Sequence, residues 1–276
     1  APALLAAGAL ATGVAGFAQT VGLPQYLRSM MTSLSMDDYY AAPLQSGAAR
    51  LASAQTGDER PQNLVVVYLE SIEQAFTERE TFGANLLAPV ESATSGWASI
   101  AELGVYEGGG WTMAGIVGTQ CGVPLRGPGI GANDINSNEI GADVSDYLPA
   151  AECLGDVLAA EGYTSVFLGG ADAGFASKAD FLRGHGYDEV KDLGHWLEEG
   201  ETEFSGWGLS DRALMENAKA EVTRLHESGQ PFNLTVLTLD SHEPAHLFDY
   251  CEATLEDELS DVIRCSMEQV AGFIDY

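Results

Sequence analysis

Basic side chains are scarce in this sequence. It has 12 Lys and Arg residues against 41 Asp and Glu residues, a formal net charge of -29. Nucleic-acid binding needs patches of Lys and Arg that neutralise phosphates, so the composition argues against a nucleic-acid partner. An acidic balance of this size suits solubility in a salty medium. At 276 residues the chain is still long enough to bury a sizeable core in one large domain.

Charged residues are absent from the first 27 positions. Residues 1–27 are rich in Ala, Leu and Gly and predict the end of a transmembrane helix, since a bilayer takes roughly 20 apolar residues; a core or interface helix is the alternative. No basic segment precedes this stretch, which disfavours a signal peptide, and the missing initial Met suggests that the natural protein extends upstream. Residues 28–61 are polar and resemble a linker, so the expected folded domain covers 62–276.

Closely spaced cysteine pairs are also lacking. The four cysteines, Cys121, Cys153, Cys251 and Cys265, form no C-x₂-C pair, which makes a structural zinc site a poor explanation for them. Four cysteines allow three disulfide connectivities, of which we favour Cys121–Cys153 with Cys251–Cys265; buried free thiols are the alternative. Two disulfides would indicate an oxidising compartment.

A glycine-rich turn at residues 108–110 is the most informative segment that is present. It leads through Trp111 to Thr112, which begins an apolar helical pattern ending near Gly122. The start of a helix gathers unpaired N–H groups and a partial positive charge, so an anion can bind there. A hydroxyl at that place can attack a phosphoryl or sulfuryl centre once its proton is removed. The alternative is that Thr112 merely caps the helix.

Three apolar, β-branched runs predict strands that are buried on both faces, as in a parallel sheet. Residues 63–69 run into Glu70, residues 164–168 run toward Asp172, and residues 233–239 run into Asp240 and His242. Ligands of α/β sheets collect beyond the carboxyl ends of strands, so we expect these polar residues to share a site. The predicted fold is a doubly wound α/β domain, with helices on both faces of a mainly parallel sheet.

Three motifs carry a family resemblance. They are Leu-Glu-Ser at 69–71, Gly-Trp-Thr-Met-Ala-Gly at 110–115 with Thr-Gln-Cys-Gly at 119–122, and Asp-Ser-His-Glu-Pro at 240–244. In this order they resemble the phosphoglycerol transferase branch of the sulfatase and alkaline-phosphatase superfamily, which includes lipoteichoic acid synthases and enzymes that modify periplasmic glucans. The resemblance covers roughly residues 36–276, and the stretch 170–188 is similar to the glucan-modifying members.

The resemblance implies a role for each matching residue. Thr112 would be the nucleophile that carries the phosphoglycerol group, and Glu70 would bind a divalent metal together with Thr112. His242 would lie near the phosphoglycerol as a candidate acid, while Asp172 and Lys178 would contact that group. The implied metal is Mn²⁺, with Mg²⁺ or Zn²⁺ as alternatives.

The same resemblance implies the partners and the location of the protein. The donor would be phosphatidylglycerol and the acceptor a periplasmic glucan or another sugar. The protein would be anchored in the inner membrane, with the catalytic domain, residues 62–276, on the periplasmic side.

The sequence also departs from the family pattern. Lys178 stands where lipoteichoic acid synthases carry Arg, and Ala176 where they carry Trp. The family completes its metal site with an Asp-His pair after a later strand, yet no Asp-His dipeptide occurs here. We therefore expect a domain that is truncated at its C-terminus. Two alternatives stay open: a hydrolase of the same superfamily that uses water, and a non-catalytic glucan- or lipid-binding module.

Overall fold

A parallel β-sheet forms the centre of the protein. The computed structural model describes residues 61–100, 103–106, 109–125 and 147–276. Within them lies a four-stranded sheet with the strand order β1-β4-β2-β3, every neighbouring pair being parallel. The strands are β1 (Leu64–Tyr68), β2 (Thr164–Gly169), β3 (Glu189–Lys191) and β4 (Phe232–Leu237). The three longer strands match the predicted runs, whereas the three-residue β3, with a charged residue at each end, was not predicted.

Helices cover both faces of this sheet. In the described part of the chain the α-helices are α1 (Arg79–Phe82), α2 (Ala88–Ala93), α3 (Thr112–Cys121), α4 (Leu154–Ala160), α5 (Lys178–Gly184), α6 (Leu193–Glu199), α7 (Asp211–Glu227) and α8 (Glu258–Ile274). Short 3-10 turns lie at Gln74–Thr77 and Phe175–Ser177.

The residues of β2 show how the two faces are built. Phe167 packs on one face with side chains of α3 and α5, while Val166 and Leu168 pack on the other face with side chains of α7 and α8. Adjacent side chains of a strand point to opposite faces, so a fully apolar strand needs a core on each side. The expected α/β fold with helices on both faces is confirmed.

The order of the strands places three strand ends side by side. β4 pairs with β1 on one edge and with β2 on the other, so its residue Thr235 lies opposite both Val66 and Phe167. All three strands run in the same direction, so their carboxyl ends meet at one edge of the sheet. Thr238 N donates to Tyr68 O at 3.0 Å, which keeps β1 and β4 together just beyond their ends.

The predicted disulfide pairing is confirmed. Cys121 bonds Cys153 and Cys251 bonds Cys265, so all four cysteines are paired. The first disulfide joins the end of α3 to the residue that precedes α4, and the second joins the loop after β4 to α8.

The predicted N-terminal segments lie outside the described residues. Residues 1–60 contain the proposed transmembrane helix and nearly all of the proposed linker. Within the described ranges, no helix combines the length and the apolar character needed to cross a bilayer.

Candidate active site

Glu70 and Thr112 meet at the carboxyl edge of the sheet. Glu70 follows β1 after one residue, and Thr112 is the first residue of α3, 42 positions later. The Thr112 hydroxyl donates a hydrogen bond of 2.9 Å to Glu70 Oε2. Two oxygen atoms that close can touch the same cation, as the resemblance implies.

The backbone around Glu70 is held by the segment that follows β4. Glu70 N donates to Thr238 Oγ1 at 2.8 Å, and Ser241 Oγ donates to the Glu70 carbonyl oxygen at 2.6 Å. The next residue, Ser71, has a φ of 54°, an unusual value for a residue with a side chain. Such conformations persist where the surroundings fix them, and they concentrate at functional sites.

Thr112 does not act as a helix cap. Trp111 occupies the cap position of α3, and no side chain caps that end of the helix. The Thr112 hydroxyl is bonded to Glu70 instead, so the capping alternative is wrong. The hydroxyl therefore stays at the start of α3, where backbone N–H groups and the helix dipole favour an anion.

A cavity of about 200 Å³ contains the predicted site residues. Its lining includes the five residues to which the resemblance assigns a role: Glu70, Thr112, Asp172, Lys178 and His242. Aromatic side chains that sequence reasoning did not assign to the site, Trp111, Phe175 and Trp207, complete the wall. In the sequence, Trp207 is marked only by its position beside an acidic run. Trp196 lies beside the same run, so this position does not identify a site residue. Trp196 is instead buried in the core, where its Nε1 donates to Gly169 O at 2.8 Å.

Lys178 is the cation of this cavity. The residue is only 6% exposed, and its ammonium has no hydrogen-bond partner among the residues described. Burial lowers the pKa of Lys178, and the nearby carboxylates of Glu70 and Asp172 oppose that shift. Two non-glycine residues with positive φ, Ala176 at 53° and Ser177 at 51°, turn the chain just before α5 and place Lys178 at its start. A buried, unpaired ammonium suits a bound anion.

Asp172 and His242 lie on neighbouring strand ends. Asp172 follows β2 and is exposed, and its Oδ1 accepts a hydrogen bond of 2.7 Å from Gly174 N. His242 follows β4 and is half-buried, with its Nδ1 at 2.9 Å from Glu243 O. These two residues and Glu70 line one cavity, so three of the four polar residues that follow the strand ends lie close together.

The Sulfatase family profile matches residues 133–267 of the chain. The fold is similar to that of a Vibrio parahaemolyticus protein in the alkaline phosphatase superfamily, with a TM-score of 0.59 and 22% identity, covering 80% of this chain and 51% of that one. It is also similar to the lipoteichoic acid synthase LtaP from Listeria monocytogenes, with a TM-score of 0.58 and 17% identity, covering 87% and 56%. The chain thus carries a Sulfatase domain at residues 133–267, and its fold is similar to that of proteins in the alkaline phosphatase superfamily.

The sequence is also similar to those of phosphoglycerol transferases. Phosphoglycerol transferase I of Xanthomonas campestris pv. campestris (strain B100) is 38% identical over 218 residues, 75% of this chain and 30% of that protein. Phosphoglycerol transferase I of Salmonella arizonae is 30% identical over 226 residues, 77% of this chain and 28% of that protein. The chain thus spans about 30% of the length of the curated relatives it matches.

Members of this superfamily generally use a divalent metal, and the Glu70–Thr112 pair fits part of such a site. A carboxylate and a hydroxyl are the hard oxygen donors that Mg²⁺ and Mn²⁺ prefer. Within the described ranges, however, Glu70 belongs to no group of three His, Cys, Asp or Glu ligand atoms close enough to share an ion.

One cluster with metal-ligand chemistry lies elsewhere in this superfamily domain. Cys153, Asp156 and His185 bring their ligand atoms within 4.8 Å of one another. Cys153 is bonded to Cys121, so its sulfur is no thiolate ligand. Both ring nitrogens of His185 are also engaged, at 2.8 Å from Asp156 Oδ2 and 2.8 Å from Tyr147 O. The cluster is a structural hydrogen-bond network.

Asp240 does not face the cavity, contrary to the expectation that it would join the site. It is buried at 6% exposure against the start of α7, where Asp211 N donates to its Oδ2 at 3.0 Å and Tyr250 OH donates at 3.4 Å. Asp240 N in turn donates to Asp211 Oδ2 at 3.3 Å. These reciprocal bonds direct Asp240 into the protein and brace the segment that carries His242.

Burial and the neighbouring Asp211 carboxylate raise the pKa of Asp240 to about 8. Burial raises the pKa of Asp211 as well. Asp211 nevertheless accepts three hydrogen bonds, from Leu239 N, Asp240 N and the Ser266 hydroxyl, and these contacts favour its charged form over that of Asp240. At neutral pH we therefore assign the proton of the pair to Asp240.

We expect Asp240→Asn to remove a pH-dependent loss of stability. The native state holds a proton on Asp240 that the unfolded chain, with an ordinary pKa of 3.8, releases. The free energy of unfolding of the native sequence should therefore fall as pH rises from about 4 to about 8, by on the order of a few kcal/mol from this group. Asn cannot titrate, so the variant lacks this component. Urea unfolding at pH 5 and pH 8 measures the difference.

The exposed carboxylate of Asp249 offers the matched control. Asp249→Asn makes the same replacement at an exposed position of the same loop and should leave the pH dependence of unfolding as in the native sequence. If Asp240→Asn changed the free energy of unfolding by the same amount at pH 5 and pH 8, the assignment of a proton to Asp240 would be contradicted.

Proposed function

We propose that the protein transfers a phosphoglycerol group from phosphatidylglycerol to a sugar hydroxyl of a periplasmic glucan, through a phosphoglycerol-threonine intermediate. The observation that carries the proposal is the Thr112 hydroxyl, 2.9 Å from Glu70 Oε2, in a cavity that also contains Lys178 and His242. Similarity to phosphoglycerol transferases supports the choice of group.

In the first half-reaction the Thr112 oxygen bonds to phosphorus and the bond from phosphorus to the diacylglycerol oxygen breaks. Glu70 Oε2 accepts the hydrogen bond of the Thr112 hydroxyl and is the first acceptor of its proton. The Lys178 ammonium balances charge on the phosphoryl oxygens. His242 supplies the proton that the departing diacylglycerol oxygen needs.

In the second half-reaction the acceptor hydroxyl bonds to phosphorus and the bond to Thr112 breaks. His242, now neutral, takes the proton of the acceptor hydroxyl, and the protonated Glu70 returns a proton to Thr112. Both residues thus recover their starting states. A divalent cation held by Glu70 and Thr112, which we propose to be Mn²⁺ with Mg²⁺ or Zn²⁺ as alternatives, would lower the pKa of the hydroxyl and balance phosphoryl charge.

The two disulfides support a location outside the cytoplasm. Disulfides persist in oxidising compartments such as the periplasm, and both cross-links lie in the domain that carries the cavity. We propose that residues 1–27 anchor this domain to the inner membrane, where its phospholipid donor is found.

Incubation with phosphatidylglycerol labelled in its headgroup tests the proposal. With Mn²⁺ and a β-glucan acceptor, we expect the full-length protein to move the label onto the glucan and to release diacylglycerol, and we expect chelation to stop both. Label released as free glycerol phosphate regardless of acceptor would identify a hydrolase. Glucan or lipid binding without turnover would identify a binding module.

A further inference from the structure

The ring of Trp207 packs against the ring of His242 at the cavity wall. The ring centroids are 4.2 Å apart and the ring planes are inclined by 58°. Both residues line the cavity that contains Thr112. An indole ring at this distance restricts the orientation of an imidazole, and its π-system stabilises the imidazole further when that ring carries a proton.

Close contact between two backbones holds Trp207 in this place. Leu209 N donates to Gly170 O at 3.1 Å, and an isolated β-bridge pairs Gly208 with Ala171. A Cβ atom on Gly208 would come within 2.1 Å of Gly170 O, so only glycine allows this approach. The loop that carries Trp207 is therefore fixed directly to the end of β2, beside the catalytic cavity.

A second contact holds the His242 ring through one of its nitrogens. Its Nδ1 lies 2.9 Å from the carbonyl oxygen of Glu243. A carbonyl oxygen can only accept, so Nδ1 carries the hydrogen. In the neutral ring this leaves Nε2 unprotonated and available to a substrate in the cavity.

We propose that Trp207 is a positioning residue that holds His242 for proton transfer at Nε2. This inference rests on the proposed function. In the first half-reaction Nε2–H gives its proton to the diacylglycerol oxygen as the bond from that oxygen to phosphorus breaks. In the second, Nε2 takes the proton of the acceptor hydroxyl as that oxygen bonds to phosphorus. One proton leaves and one returns, and the Nδ1–H bond to Glu243 O stays in place throughout.

Two donors with different leaving groups test this role in Trp207→Leu. The diacylglycerol oxygen of phosphatidylglycerol needs a proton to leave, whereas the nitrophenolate of 4-nitrophenyl phosphoglycerol leaves without one. We expect the variant to lose about 10- to 100-fold in kcat with phosphatidylglycerol and little in KM. The first-turnover burst of nitrophenol should stay close to that of the native sequence. Trp207→Phe, which keeps an aromatic face, should restore most of the lost kcat.

Trp97→Leu is the matched control, because Trp97 is 65% exposed and lies outside the cavity lining. It should leave both donors unaffected. Equal losses of Trp207→Leu with both donors, no loss with either, or failure of Phe to restore kcat would each overturn the positioning role. A native protein that transfers nothing from phosphatidylglycerol, or an active Thr112→Ala variant, would overturn the proposed function instead.

If the native protein transfers nothing from phosphatidylglycerol, the positioning role of Trp207 can still be tested by a measurement that needs no turnover. Nitrogen-15 spectra of His242 report which ring nitrogen carries the hydrogen in the neutral form. We expect Nδ1–H in the native protein and in Trp207→Phe, and a mixture of the two tautomers in Trp207→Leu. An unchanged tautomer in Trp207→Leu would show that Trp207 does not hold the ring.

Discussion

Replacing Thr112 by alanine is expected to abolish phosphoglycerol transfer while the protein stays folded. The change removes the oxygen that we propose to bond to phosphorus, so we expect a loss of at least about 1000-fold in the transfer rate. The fold should survive because Thr112 does not cap α3 and its hydroxyl bonds a site residue, Glu70. Label transfer from phosphatidylglycerol measures the rate, and circular dichroism with thermal melting checks the fold.

The same helix offers a control for this experiment. Thr119 is exposed, and its hydroxyl donates to Gly115 O within α3. Thr119→Ala should therefore keep the transfer activity, and Thr112→Ser, which restores a hydroxyl, should recover part of it. Mass spectrometry of a quenched reaction should find phosphoglycerol on the peptide that contains Thr112. Transfer by Thr112→Ala at the native rate would remove Thr112 as the nucleophile.

Much of this site follows from local sequence. An apolar, β-branched run identifies a buried parallel strand, and its end must lie at the carboxyl edge of the sheet. That rule by itself predicts that Glu70, Asp172 and His242 lie near one another. A glycine-rich turn before an apolar helical pattern likewise predicts that Thr112 stands at the start of α3.

The rest of the site depends on contacts between distant residues. Asp240 also follows a strand, but the amide of Asp211 binds its carboxylate and directs it away from the cavity. Trp207 reaches the cavity because Gly208 packs against Gly170, two glycines far apart in sequence. The alternation of side chains along a strand predicts their direction only within the strand. Beyond its end, the direction of a side chain is set by such partners.

The start of α5 shows a further limit of sequence reasoning. Ala176 and Ser177 have positive φ values, although residues with a Cβ atom rarely adopt them. A sequence pattern gives no reason to expect this turn in Ala-Ser. The turn nevertheless brings Lys178 into the cavity, where the resemblance to phosphoglycerol transferases implies a phosphate contact.

Glu70→Gln should weaken metal binding and stop transfer without disturbing the site around it. The amide oxygen of Gln can still accept the Thr112 hydrogen bond, and the backbone bonds of residue 70 to Thr238 and Ser241 do not involve the side chain. The negative charge is lost, however, and it is the main attraction that this pair offers a divalent cation. Removing a residue that only supports a metal ligand lowers metal affinity by about 10- to 100-fold. Because Glu70 would be a direct ligand, we expect Glu70→Gln to lower the affinity for the cation by more than about 100-fold.

Calorimetric titration with Mn²⁺, in parallel with label transfer over a range of Mn²⁺ concentrations, measures both effects. Glu73→Gln is the matched control, because Glu73 is an exposed carboxylate three residues further along the chain. It should bind Mn²⁺ as the native protein does, so a general effect of the high net negative charge on cation binding would show itself in both variants. Native Mn²⁺ affinity in Glu70→Gln would place the ion elsewhere, and the 2.9 Å contact with Thr112 would then be a plain hydrogen bond. Loss of affinity in Glu70→Gln alone would tie the cation to the oxygen pair on which the proposed nucleophile depends.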